Sequence, residues 1–295
     1  MIKKIILLIA CSIFAAPLQC QSTEPLAKGI EEIQFSFSEE PIDVIIPCTD
    51  KDIPTLDRCI QGIRTNCKEV RRVIVVSKKH LTRNAEWYDE RLYPFSMFDI
   101  AKALFGSENK AKSYIKDPKN RLGWIYQQLL KLYAPFVIPG ISSNVLVLDS
   151  DTIFLNRVTF MQEKGAGCFN TGSEYHKPYF KHAKRLLPYL HRVHSRFSGI
   201  CHHMLFQKNV LDHLFQEVEA YHQVPFWKAF LKCVDHKELY GSCASEYEIY
   251  FNYASIRSKQ FMIRQLKWQN ISSLKQLKRY KKKGYHYVSC HNWSG

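Results

Sequence analysis

Asp149 and Asp151, one residue apart, follow the apolar run Val145 to Leu148, which itself follows a Ser142-Ser143-Asn144 turn. Four apolar residues that stop abruptly at two carboxylates suit a strand buried on both faces whose end emerges into a site. Ligands of open α/β sheets bind beyond the carboxyl ends of the strands. A hard divalent cation takes oxygen ligands and usually keeps waters or substrate phosphates, so the Asp-x-Asp spacing can anchor Mg²⁺ or Mn²⁺. An acidic turn after a buried strand is the plainer reading of the same residues. A second candidate pair, His202-His203, lies in the apolar stretch Ile200 to Phe206. Neighbours on a strand point to opposite faces, so only one of the two histidines can face a cleft and the other must pack in the core.

The elements that would position these groups can be read along the chain. Pro41 to Pro47 predicts a first strand and Val73 to Ser77 a second. Between them Ile53, Leu56, Ile60, Ile63 and Cys67 recur at helical spacing, with Pro54 in the first turn. A strand, helix and strand in this order predict parallel strands with a right-handed crossover, which places the loop Cys48 to Asp52 on the same sheet edge as Asp149. Leu122, Ile125, Leu129, Leu132 and Phe136 predict a helix ending near Pro135, with Lys131 off its apolar stripe. Further helices are expected over 99–105, 176–190, 210–221 and 272–283, with Asn209 as a cap and Ser245 with Glu248 as a capping box. Gly165 to Gly172 reads as a Gly-rich loop, 200–206 as a strand and 285–290 as a last strand. The stretch 80–118 is mixed and says little beyond its one helix.

A chain of 295 residues with 46% hydrophobic and 23% charged residues has the composition of a globular protein, which argues against general disorder. The formal net charge of +15 favours anionic partners such as nucleotide phosphates, acidic glycans or a membrane surface. Specific nucleic-acid binding is not expected, because the basic residues are spread along the chain without a zinc-finger, RNP-type or heptad pattern. The one basic run, Lys278 to Lys283, reads as a solvated helix end. Lys3 and Lys4 precede the apolar run Ile5 to Leu18, shorter than the roughly 20 residues that span a bilayer. Residues 1–22 therefore read as a signal peptide or signal anchor, and Leu8-Ile9-Ala10-Cys11 also resembles a lipoprotein box. An exported or membrane-associated chain is expected, with a single domain over 41–295. Ten cysteines, two of them in the leader, form no Cys-x-x-Cys pair. Disulfides and buried free thiols both stay open.

Taken together, the two strand-helix units, the lysine-bearing helix, the Asp-x-Asp at a strand end and a late histidine resemble the GT-A-fold nucleotide-diphospho-sugar transferase superfamily. The stretch from Leu130-Lys131-Leu132 through Leu148-Asp149-Ser150-Asp151-Thr152 is similar to glycogenin-like transferases. Gly123 to Lys131, Ser198 to Phe206 and Ala244 to Tyr250 resemble a bacterial family of uncharacterised nucleotide-sugar transferases, over most of residues 40–293. The resemblance implies an α/β, GT-A-like (Rossmann-related) fold with a mixed, mainly parallel sheet flanked by helices. It also implies a hexosyltransferase-type reaction from a nucleotide-diphospho-sugar donor to a glycan, lipid or protein hydroxyl. Asp149 and Asp151 would hold Mn²⁺ or Mg²⁺ on the donor diphosphate, with His291 as a further metal ligand. Lys131 would contact the donor, and Pro47, Cys48 and Asp50 would lie where base and ribose bind. Glu246 matches the carboxylate that deprotonates the acceptor in some inverting relatives, although a helix N-terminus attracts carboxylates for dipole reasons alone. His202 and His203 stand as further catalytic candidates. The chain departs from the longer histidine, glycine and lysine signature of the glycogenin-like relatives, which weakens the assignment of His291.

Two other readings fit parts of the sequence. Asp149-Ser150-Asp151-Thr152 after four apolar residues also matches the first motif of haloacid-dehalogenase-like phosphatases, which need a second acidic pair downstream; the only aspartates after Asp151 are Asp212 and Asp235, far apart. A non-catalytic secreted protein that keeps the fold to bind a glycan or a host factor is the third.

Overall fold

The computed structural model describes residues 30–290. Residues 1–22, expected to be a signal peptide or signal anchor, and His291 lie outside the described residues. Strand β1 (Ile42–Pro47) has six buried residues in a row and sits at the centre of the main sheet. Helix α1 (Ile53–Asn66) follows with Pro54 in its first turn and buries Leu56, Cys59, Ile60 and Ile63. Gly62 of this helix lies against the backbone of Phe154, where an added Cβ would stand 2.8 Å from the Phe154 carbonyl oxygen. The chain returns through β2 (Val70–Ser77), parallel to β1, and β3 (Glu86–Asp89), parallel to β2 at the edge.

Helix α2 (Met97–Phe105) opens on a reciprocal cap in which the Asp99 amide donates to Ser96 Oγ and the Ser96 amide to Asp99 Oδ2. Helices α3 (Glu108–Lys116) and α4 (Leu122–Val137) lead to β4 (Asn144–Leu148), which pairs in parallel with β1. After β4 the chain turns at Asp149 to Asp151 and leaves the main sheet as β5 (Thr152–Phe154). There follow β6 (Cys168–Asn170), α5 (Lys177–Leu186), β7 (His203–Gln207), α6 (Lys208–His222), α7 (Phe226–Lys232) and α8 (Glu246–Arg257). The remaining elements are β8 (Met262–Arg264), β9 (Trp268–Ile271), α9 (Leu277–Lys282) and β10 (Tyr287–Cys290).

The main sheet runs β3-β2-β1-β4-β7, parallel except for β7, which is antiparallel to β4. Alternate residues of its strands feed two cores. Ile45, Ile74, Val145, Val147 and Phe206 face the larger one, built with α2, α4, α6, α7 and α8; Val44, Ile46, Val75, Leu146 and Leu148 face α1. The expected mixed, mainly parallel sheet flanked by helices is the observed architecture. Beside it stand a three-stranded sheet, β5-β10-β9, and the pair β6-β8. The three-stranded sheet has its own small core of Ile153, Leu155, Ile271, Val288 and Cys290.

Several sequence expectations shift in detail. Helix α4 carries Pro135 inside and ends two residues beyond it, at Val137. Helix α6 begins at Lys208, so Asn209 lies inside its first turn, where Oδ1 accepts from the Val210 amide. Only half of the expected box at α8 forms: the Glu248 amide donates to Ser245 Oγ at 3.3 Å. All eight cysteines among the described residues are free thiols.

Candidate active site

Lys131 is the best-buried cation near the strand ends, 1% exposed on α4. Its three ammonium hydrogens match three acceptors: Asp149 Oδ1 at 2.6 Å, Glu246 Oε1 at 2.7 Å and the Tyr247 hydroxyl at 3.0 Å. The ammonium also lies 4.4 Å from the centre of the Tyr247 ring. A charge taken out of water must be paired and hydrogen-bonded to be tolerated. Burial pulls the Lys131 pKa down, and the two carboxylates more than offset it, so the net direction is upward. Lys131 therefore stays an ammonium.

Glu246 is 2% exposed and its amide donates to Gln128 Oε1 at 2.9 Å, one turn before Lys131. Burial raises its pKa, with Lys131 opposing the rise. These placements alter two expected roles. The Lys131 amine is spent on Asp149 and Glu246 instead of lying open to a donor, and Glu246 sits behind it as a counter-ion with no exposed face for an incoming hydroxyl. What the triad does is fix Asp149, whose side chain remains 30% exposed, at the end of β4.

The turn after β4 is held from two other sides. The His202 carbonyl accepts from the Asp149 amide at 3.0 Å and from Thr152 Oγ1 at 3.4 Å. His202 holds that carbonyl in place with φ at +64°, a left-handed backbone that non-glycine residues seldom adopt. Its ring meets Trp268 edge-on at 4.8 Å. On the other side, Ser289 Oγ donates to Asp151 Oδ1 at 3.0 Å and the Cys290 amide donates to the Asp151 carbonyl at 2.9 Å. His203 goes to the core. It is 2% exposed, with Tyr287, Phe154 and Phe160 at ring distances of 4.9, 5.2 and 5.6 Å. Burial drives its pKa down to about 3, so it is a neutral imidazole walled off from substrate and unsuited to acid-base work.

A cavity of about 790 Å³ opens at the carboxyl ends of β1 and β2, and Cys48 on its wall meets Ser150 of the turn. Pro47, Cys48, Asp50 and Asp52 line it from β1, and Lys78 from β2. Arg121 and Trp124, at the start of α4, close the far wall; the Arg121 guanidinium lies 5.2 Å from the Trp124 ring centre, and Trp124 Nε1 donates to the Ala244 carbonyl at 3.2 Å. Cys48 joins cavity and turn. Its thiol is pushed up to about 12 by burial and by Asp52, against a hydrogen bond with Ser150. Burial also raises the Asp52 carboxyl, with Asp151 adding to the rise. Sequence reasoning missed Asp52, Arg121, Tyr247 and Gln128 as site residues. The first sat in a loop already placed at a strand end, and the last two carry no signal until α4 and α8 are packed together.

Among the described residues no three His, Cys, Asp or Glu side chains come together as a metal cage. Two carboxylates at a strand end fit a hard cation of another kind, one that completes its coordination with waters and substrate phosphates. Asp149 and Asp151 are the residues that would hold it. The aspartates that a phosphatase would recruit serve elsewhere: Asp212 accepts from Gln216, and Asp235 accepts from the Lys237 amide and pairs with Arg185.

A mainly parallel α/β sheet flanked by helices, with a cavity and acidic residues at the carboxyl ends of its strands, has the layout in which open α/β proteins place their ligands. More particularly, the chain belongs to the family of unknown function DUF6492, whose model matches residues 40–289. No curated protein matches the sequence. Among solved structures the chain is similar to mouse xyloside xylosyltransferase 1 in its apo form, with a TM-score of 0.38 and 10% identity over 85% of this chain and 94% of that one. It is also similar to the apo structure of the bifunctional glycosyltransferase WbbM, with a TM-score of 0.41 and 11% identity over 90% of this chain. It spans about half of WbbM, 47% of that chain.

Proposed function

We propose that the protein transfers a sugar from a nucleotide-diphosphate donor to a hydroxyl acceptor with the help of Mn²⁺ or Mg²⁺. The observation that carries this reading is the juxtaposition of a cavity of about 790 Å³ at the β1 and β2 ends with the Asp149-Ser150-Asp151 turn. In it the base and ribose lie against Pro47, Cys48 and Asp50, and Arg121 and Lys78 offer positive charge to the phosphates. Asp149 and Asp151 would hold the cation, which neutralises charge developing on the departing nucleotide without a protonated acid. Lys131 positions Asp149, and Glu246 keeps Lys131 in place. The acceptor is a glycan, lipid or protein hydroxyl.

Calorimetry with UDP, GDP and CDP sugars, with and without Mn²⁺, tests the reading on wild type and Asp151→Asn. The expected result is binding of one of these donors that needs the metal and weakens at least about tenfold in the variant, the loss of one charged contact. Equal binding with and without metal would count against the mechanism. Phosphate release abolished by Asp149→Asn, with no nucleotide bound, would favour the phosphatase; absence of nucleotide binding and of any turnover would favour the non-catalytic binder.

A further inference from the structure

The C-terminal part of the chain is unbalanced in charge. No Asp or Glu follows Glu248 in the sequence, yet Lys275, Lys278, Arg279, Lys281, Lys282 and Lys283 fall within nine residues. All six are exposed, and none forms an ion pair among the described residues. The apolar side of this segment faces inward: Leu274, Leu277, Tyr280 and Tyr285 pack on the small core of the three-stranded sheet. Asn156 Nδ2 donates to the Tyr285 carbonyl at 2.7 Å, which ties the segment to the chain leaving β5. The same sheet grips Asp151 through β10, so the cations sit on a unit joined to the candidate site.

We propose that this basic face docks on the anionic headgroups of a phospholipid bilayer. Clusters of four to eight Lys and Arg on a short amphipathic segment attract anionic lipid, and the segment has that form, with Leu277 and Tyr280 turned in and the cations turned out. A bilayer is favoured over nucleic acid on two grounds. The two tyrosines that could stack on bases lie edge-on to each other at 4.8 Å, and Tyr285 already carries the Lys267 ammonium at 4.6 Å. The same chain also carries the apolar run Ile5 to Leu18 after two lysines, a leader of the kind that brings a chain to a membrane. This inference stands apart from the transferase reading.

The test is co-sedimentation of the full chain with vesicles of phosphatidylcholine alone and of phosphatidylcholine with about 30% phosphatidylglycerol, at about 0.1 M and about 0.5 M salt. The apolar run contributes equally to both vesicles, so the difference between them reads the basic face. Wild type is expected to partition at least about tenfold more strongly to the anionic vesicles at low salt, and to lose that preference at high salt. The combined Lys278→Glu, Arg279→Glu, Lys281→Glu and Lys282→Glu variant should lose it at low salt. A charge-matched control on α3 and the turn after it, Lys110→Glu with Lys112→Glu, Lys116→Glu and Lys119→Glu, should keep it. Equal binding of wild type to both vesicles overturns the proposal, and so does a control variant that loses as much as the α9 variant. Displacement by free inorganic phosphate would point to a small-anion site instead of a surface, and tighter binding to a single-stranded oligonucleotide than to vesicles would point to nucleic acid; either overturns it.

Discussion

Lys131 links α4, the β4 end and α8 through one ammonium, and its removal strands two carboxylates. Breaking a buried ion pair by deleting one partner costs about 3–5 kcal/mol, because the remaining charge stays buried without compensation. Lys131→Met, similar in length and apolar, is therefore expected to lose about that much stability in urea unfolding at pH 7. Adding Glu246→Gln should restore part of it, since the two residues share one network. A Lys131→Met protein within about 1 kcal/mol of wild type would show that the triad contributes little. The sign with pH follows from the direction of the shift. A lysine whose folded pKa is raised above 10.5 stabilises fully below that value and loses the contribution only as pH climbs through the higher folded value. Lys131 was visible in the sequence as a residue off the apolar stripe of its helix, a position that usually means solvent. The fold reverses that meaning, because α4 packs against the sheet on one side and α8 on the other, and Gln128 and Lys131 become its buried polar side.

At the scale of elements, β7 carries a second charge-linked consequence. His203 on β7 and His182 on α5 are both about fully buried, with pKa values lowered by burial to about 3 and about 4. Unfolded, each binds a proton near 6.5; folded, neither does until far lower pH. The unfolded state thus holds more protons between those limits, and stability falls as pH drops through the window. Each histidine is expected to cost about 2 kcal/mol between pH 7 and pH 5, read as a fall in urea midpoint. His203→Leu should flatten that acid limb, and a limb of unchanged steepness would disprove the attribution. Strands β1, β2 and β4 were legible because burial on both faces leaves an unbroken apolar run. Edge strand β3, with Glu86-Trp87-Tyr88-Asp89, was not, since a strand with one partner and half its surface in water needs no such run. β6 hid in what reads as a Gly-rich loop, and β9, Trp268-Gln269-Asn270-Ile271, is recognisable only through its pairing with β10.

At the scale of the whole molecule, the open question of disulfides resolves into free thiols for the cysteines among the described residues. Seven of the eight described cysteines are buried, and Cys67 is half-buried. Thiol titration of the full chain in denaturant without reductant is expected to find all ten cysteines, and among the described ones Cys67 should react first in native buffer. Fewer than ten thiols from the full chain in denaturant would mean that cross-links form. The sequence carried the α/β class and the Asp149 to Asp151 turn because both rest on local runs. It could not carry the Lys131 triad with Asp149 and Glu246, whose members are up to 115 residues apart, nor the grip of β10 on Asp151, which joins residues 138 apart. That grip also bears on how the protein is made. The ribosome delivers Asp151 long before Ser289 and Cys290, so a nascent chain holding every main-sheet strand still lacks the clasp that shapes the acidic turn.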